Sequence, residues 1–183
     1  MNEALEYACE ELRADRVVSV QQIAKLYGVR RVDFVNAGAF TRWEEVRAVG
    51  RAAHLQAVEF VSFERLLLKM QPMQLVHYAG TAALRGVLRA PHWLWKSEAG
   101  AFAASFEPDA LWERLVGETA IEYDTGWYKA KKIRMKAATF EKYAGGQFWG
   151  VPTESRVRFV ERTIGEAGVE GAEVLLSPWF GRD

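Results

Sequence analysis

The residues best placed to do chemistry lie in QLVHYAGTAALRGVL, Gln74 to Leu88, where His77 and Tyr78 stand together before a Gly-Thr step. Gln74 to Tyr78 has the texture of a strand, and Leu84, Val87 and Leu88 form the face of a following helix. That reading puts His77, Tyr78 and Thr81 at a strand end and turn, where side chains and bare backbone can meet a ligand. Gly80 lets the backbone approach closely. A packed or surface histidine is the plainer explanation of His77 taken alone. At the other end of the chain, EGAEVLLSPWF sets Glu173 just inside an apolar strand, a position that also suits a solvated strand residue. The concentrated basic stretch is YKAKKIRMK. In a strand, Lys132, Arg134 and Lys136 share one face, with Trp127 and Tyr128 adjacent for base stacking, which makes a nucleic-acid path. A solvated edge strand protected by lysines reads the same way. His54, His77 and His92 are too scattered for zinc, no metal is expected, and neither a phosphate-binding glycine loop nor a dinucleotide fingerprint occurs.

The QLVHYAGTAALRGVL segment resembles the first motif of the ADP-ribosyltransferase superfamily, in which a strand ends in a histidine before a leucine-patterned helix. AEVL, near the other end, is similar to the segment that carries the catalytic glutamate in DNA-modifying members of that superfamily. IRMKAATFEKYAGGQFWG, between them, looks like the family's middle strand, short helix and return strand. The resemblance implies an NAD cofactor, with His77 on the adenosine ribose and Tyr78, Gly80 and Thr81 beside the dinucleotide. Glu173 would be the catalytic carboxylate, stabilising the oxocarbenium-like charge as the nicotinamide bond breaks. An arginine is also expected between these motifs, and Arg89, Arg114 and Arg134 are all candidates. The layout is similar to the tRNA 2′-phosphotransferases too, but their catalytic arginine pattern is not evident. Trp93 and Trp95 of HWLWKS could stack on nicotinamide or fill the core.

VSVQQIAKLYGVRRVDFVNAG resembles the helix-turn-helix of bacterial regulators. Ile23, Ala24 and Leu26 would pack the first helix, Gly28 would take the left-handed turn, and Val32 and Val35 would anchor the second. Arg30 and Arg31 would then meet phosphates and base edges. Residues 1–72 carry as many acidic as basic side chains, which suits a packing or partner-docking hairpin as well as DNA.

These residues need elements to hold them. Glu3 to Leu12 has helical apolar spacing, and Ser19 with Gln22 makes a capping box for a helix ended by Gly28. Arg31 to Asn36 forms a third helix. Thr41 and Glu44 suggest another capping box and a helix to about Ala53, followed by a helix over Ser62 to Met70. Pro72 marks a boundary between a helical domain, 1–72, and an α+β domain, 73–183. In the second part QLVHY, HWLWKS, ETAIEY, YKAKKIRMK, RVRFVE and AEVLLS read as strands. Ala82 to Leu88, Asp109 to Leu115 and Thr139 to Tyr143 read as helices. The expected fold is therefore α+β, a helical N-terminal segment followed by an ADP-ribosyltransferase-like split β-sheet, the two parts packed together.

The chain has 183 residues, equal numbers of acidic and basic side chains and a single cysteine, Cys9, so an intrachain disulfide is excluded. Zero net charge gives no global attraction to nucleic acid or membrane. No run reaches transmembrane length and the N-terminus is acidic, so a cytoplasmic protein is expected. The function these features imply is ADP-ribosyl transfer to a macromolecule, nucleic acid or protein, in the manner of a toxin. The alternatives are a non-enzymatic helix-turn-helix DNA-binding regulator, or a phage or mobile-element interaction protein with a degenerate transferase fold.

Overall fold

A computed structural model describes residues 2–49, 54–97, 106–115 and 117–180. Helix α1, Glu3–Asp15, starts where Asn2 caps Leu5 N, and turns Ala8, Cys9 and Leu12 inward. The two-residue strand β1, Val18–Ser19, leads into α2, Val20–Tyr27. Gln22 closes the expected capping interaction, its Oε1 accepting from Ser19 N at 2.9 Å. Gly28 ends α2 at φ 65°, the left-handed conformation that glycine adopts without strain. After it comes α3, Arg31–Asn36, so two helices joined at Gly28 form, but Ala24, Val32 and Val35, expected to pack them, are exposed and Phe34 is buried instead.

The two helices expected next are not there. Phe40–Val46 is a strand, β2, and Gln56–Ser62 is its antiparallel partner β3. Thr41 and Glu44 looked like a helix cap, but seven cross-strand pairs from Phe40↔Ser62 to Val46↔Gln56 bind the segment instead. Val58, Phe60 and Val61 bury against the core, and this long-range burial outweighs a local capping signal. The sheet order is β1-β3-β2, a three-stranded sheet carrying the helix-turn-helix. Ser62 to Met70 reduces to a single 3-10 turn at Leu67–Lys69.

Pro72 opens the long helix α4, Pro72–Leu88, as its first residue, a position where a missing N–H costs nothing. QLVHY is thus helical rather than extended, and His77, Tyr78, Gly80 and Thr81 lie within α4, not at a strand end. Every residue from Leu75 to Arg85 is buried, because α4 packs against strands of both sheets. An all-round apolar helix and a buried strand look alike in sequence, which explains the misreading. Gly80 does permit a close approach, but to protein. A Cβ there would lie 2.2 Å from carbons of the Tyr123 ring.

The second sheet has the order β4-β5-β6-β7-β8. Its strands are Trp95–Ser97, Ala110–Arg114, Gly117–Tyr123, Gln147–Val151 and Ala172–Leu176. The first three pair antiparallel, the last three parallel. The parallel connections are α5, Ala130–Phe140, and α6, Glu154–Gly165. Three further readings change here. Asp109 to Leu115 is strand β5 with its lead-in rather than a helix, while YKAKKIRMK and RVRFVE belong largely to α5 and α6. In α5 the buried residues Ile133, Lys136, Ala137 and Phe140 recur at helical spacing, which the lysine-rich alternation concealed. Lys132 and Lys136 therefore share a helix face, whereas Arg134 reaches Glu166 on α6.

Along each inner strand the side chains alternate. Ala120, Trp149, Val151 and Val174 pack with α5 and α6. Ile121, Tyr123, Phe148 and Leu175 join a core that runs through α4 to Val46, Val58 and Phe60 of the first sheet. The two parts of the chain thus share one hydrophobic core. Leu75 and Leu84, fully buried in it, contribute about 2 kcal/mol each by area removed from water. Trp95 is buried and Trp93 is exposed. Among the described residues no helix is long and apolar enough to cross a membrane.

Candidate active site

Four chemically capable side chains converge where β5 begins and β6 ends. Asp109, Glu122, Lys136 and His77 are respectively 3 %, 0 %, 2 % and 8 % exposed, a concentration of buried charge that hydrophobic packing alone does not require. Each is placed by a different element. Asp109 ends the lead-in to β5, its N–H donating to Ile121 O at 2.8 Å. Its carboxylate is fixed by β6, whose Tyr123 N–H donates to Oδ2 at 2.7 Å. Glu122 is the neighbouring β6 residue. Register with Trp149 turns it to the α5 side of the sheet, opposite the row of Tyr123.

Lys136 enters from α5. Its Nζ donates to Glu107 O at 2.9 Å and lies 2.7 Å from Glu122 Oε1. Lys136 and Tyr128 are the polar neighbours of the buried Glu122 carboxylate, and both favour its charged form. His77 enters from α4, its Nδ1 3.4 Å from Asp109 Oδ2. The Tyr128 ring covers the group, 5.8 Å from the His77 ring, and Lys132 Nζ lies 4.0 Å from the centre of the Tyr128 ring.

The loop carrying Tyr128 is built by Asp124. Its Oδ1 accepts from Gly126 N at 2.8 Å and from Tyr128 N at 3.3 Å, while Arg156 Nε of α6 donates to Oδ2 at 2.7 Å. This buried aspartate is fully engaged in holding the loop.

Burial and the Asp109 charge push Glu122 up to about 7, against the pull of Lys136. Burial would raise Asp109 as well, but His77 and Lys136 outweigh it and hold it below the usual carboxylate range. For His77, burial lowers the value, yet the Asp109 carboxylate prevails and leaves it raised. One carboxylate is firmly ionised and its neighbour is poised near neutrality beside an ammonium. Such divergent tuning within one cluster is typical of functional sites.

The structure brings together only part of what the sequence suggested. His77 and Lys136 are in the cluster, and Lys132 is at its edge. Tyr78, Gly80 and Thr81 face protein; the Thr81 hydroxyl donates to His77 O at 2.8 Å. Glu173 is exposed on β8. The cross-strand row Ala110, Ile121, Phe148, Glu173 puts three strand spacings, about 14 Å, between the residue after Asp109 and Glu173. Arg30 is tied to Asp33, Nη2 to Oδ1 at 2.9 Å, and Arg31 to Glu59, Nε to Oε2 at 2.9 Å. Of the arginine candidates, Arg114 lies over the Trp112 ring and Arg89 ends α4.

Asp109 and Glu122 were missed. The available signal was a glutamate in the middle of the apolar run AIEY, thirteen residues after an aspartate that follows Pro108. A charge at an inward strand position is a stronger indication than a histidine in an apolar run.

Among the described residues no group of three or more His, Cys, Asp or Glu side chains is arranged to hold a metal. A pair of carboxylates is nevertheless a suitable donor set for Mg²⁺, which keeps several waters and takes its other oxygens from substrate phosphate. Comparison with known protein families, curated proteins and solved structures finds no match.

Proposed function

We propose that the chain is a divalent-cation-dependent hydrolase of phosphodiester bonds in nucleic acid. The observation that carries this reading is the buried convergence of two carboxylates, Asp109 and Glu122, with the Lys136 ammonium 2.7 Å from Glu122 Oε1. Asp109 and Glu122 are the residues that would hold Mg²⁺ or Mn²⁺. Bound there, such a cation supplies Lewis acidity toward a phosphate oxygen and lowers the pKa of a coordinated water. Asp109 is held below the usual carboxylate range, and the Tyr123 N–H fixes its Oδ2 at 2.7 Å. Lys136, anchored on Glu107 O, places a positive charge beside Glu122, where it offsets charge growing on the phosphate. In the net reaction water adds to phosphorus and one P–O ester bond breaks, leaving a phosphate monoester and a hydroxyl.

Nucleic acid is favoured over a small phosphodiester because the helix-turn-helix is packed directly onto the helix that serves the site. Gln22 of α2 donates through Nε2 to Ala79 O of α4 at 2.8 Å, two residues from His77. The transferase expectation needs His77 and Glu173 on one NAD. With His77 against Asp109 and Glu173 exposed on the outer strand, the cluster supports hydrolysis better.

The test is incubation of the protein with end-labelled duplex DNA, single-stranded DNA and RNA in Mg²⁺ or Mn²⁺. Cleavage of at least one is expected, abolished by a chelator and by Glu122→Gln. No cleavage of any of the three, or cleavage indifferent to Glu122→Gln, would overturn the reading.

A further inference from the structure

We propose that Lys132 anchors a phosphate of the nucleic-acid strand at the mouth of this site, an inference that rests on the hydrolase reading. Lys132 and Lys136 are one helical turn apart on α5 and project from the same face. Lys136 is buried against Glu122, whereas Lys132 is exposed, so the pair extends from the inside of the cluster to solvent. The outer ammonium is not simply extended into water. Its Nζ lies 4.0 Å from the centre of the Tyr128 ring, and that ring packs against His77, the partner of Asp109.

Burial and Lys136 leave the Lys132 pKa lowered on balance, against the upward pull of Glu122, Asp109 and Asp124. The ammonium therefore lies in the field of the same carboxylates that form the site. Arg134, two residues on, is held by Glu166 at 3.4 Å, but Lys132 rests on an aromatic face. A cation on a ring is easily exchanged for a phosphate oxygen, with which an ammonium makes a charge-assisted bond. Tyr128 stores the side chain close to its ligand and limits the ordering needed when substrate arrives. A residue with this role contributes to substrate binding more than to the chemical step, so its loss should appear in KM.

The test measures steady-state cleavage in Mg²⁺ together with binding of a labelled oligonucleotide in Ca²⁺, both with Glu122 intact. Lys132→Ala should raise KM and Kd by about tenfold, keep kcat within about twofold, and reduce the slope of log K against log salt by about one. Lys132→Arg should restore most of the binding. Lys131→Ala, an equally exposed change on the neighbouring residue, should leave all three quantities near wild type. The proposal fails alone if wild type binds and cleaves but Lys132→Ala behaves like Lys131→Ala, or lowers kcat with KM unchanged. If wild type neither binds nor cleaves nucleic acid, the hydrolase reading falls and takes this inference with it.

Discussion

Two clusters of buried charge meet α4, one at Arg85 and one at His77, and they are built on different principles. Between α1 and α4, Arg85 is completely engaged. Its Nε and Nη2 donate to the two Asp15 oxygens at 2.6 and 2.7 Å, and Nη1 donates to Ala90 O at 3.0 Å. Tyr27 adds a bond to Asp15 at 2.7 Å. At the end of β6, Glu122 and Lys136 are just as buried, yet a second carboxylate, Asp109, crowds the pair and helps push Glu122 up to about 7. A balanced buried pair fixes structure. A site with an excess of buried carboxylate retains a capacity to bind a cation, at some cost in stability.

The contrast can be broken by substitution. The largest effect expected is on activity: Glu122→Gln or Asp109→Asn should lower cleavage by at least about a hundredfold, read from initial rates. The next is on stability. Arg85→Met leaves Asp15 buried without its counter-ion and should cost about 3–5 kcal/mol, a fall in Tm of roughly 10 °C. Should Arg85→Met melt like wild type, the first cluster would not be the structural one.

Titration sharpens the comparison further. Glu122 titrates at about 7 in the folded protein against 4.5 for an ordinary glutamate. Between those values the folded state holds a proton that the unfolded state lacks, so stability declines as pH rises. His77, also raised, acts in the same direction: its contribution is full below its unfolded value and lost as pH climbs through the folded one. The cation-free protein should therefore lose about 1 kcal/mol from Glu122 between pH 6 and pH 8, measured by denaturant unfolding. Glu122→Gln should flatten that dependence and Arg85→Met should not. Stability that rises over the same interval would contradict the assignment. The smallest effect concerns β8, where Glu173→Gln should leave cleavage unchanged. A loss matching that of Glu122→Gln would shift attention to the outer strand.

The contrast also explains which features could be read from the sequence. The two helices flanking Gly28 were legible because their signals are local: Gln22 closes on Ser19 and Gly28 turns the chain. ETAIEY and AEVLL were legible as strands. The β2–β3 hairpin was not, since its stability comes from cross-strand pairs and from Val58 and Phe60 reaching a distant core. Helix α4 was half-legible; contact on all sides removed the polar face that marks most helices. His77 and Lys136 attracted attention for their residue types but were assigned to the wrong elements. Their shared site depends on Asp109 and Glu122, which only the antiparallel β5–β6 pairing brings side by side.

The most direct measurement is the anomalous difference density of crystals grown with Mn²⁺. A peak about 2.1 Å from one oxygen each of Asp109 and Glu122, and absent in Glu122→Gln, is the expected result. A map with no density between these two carboxylates at saturating Mn²⁺ would contradict the central claim.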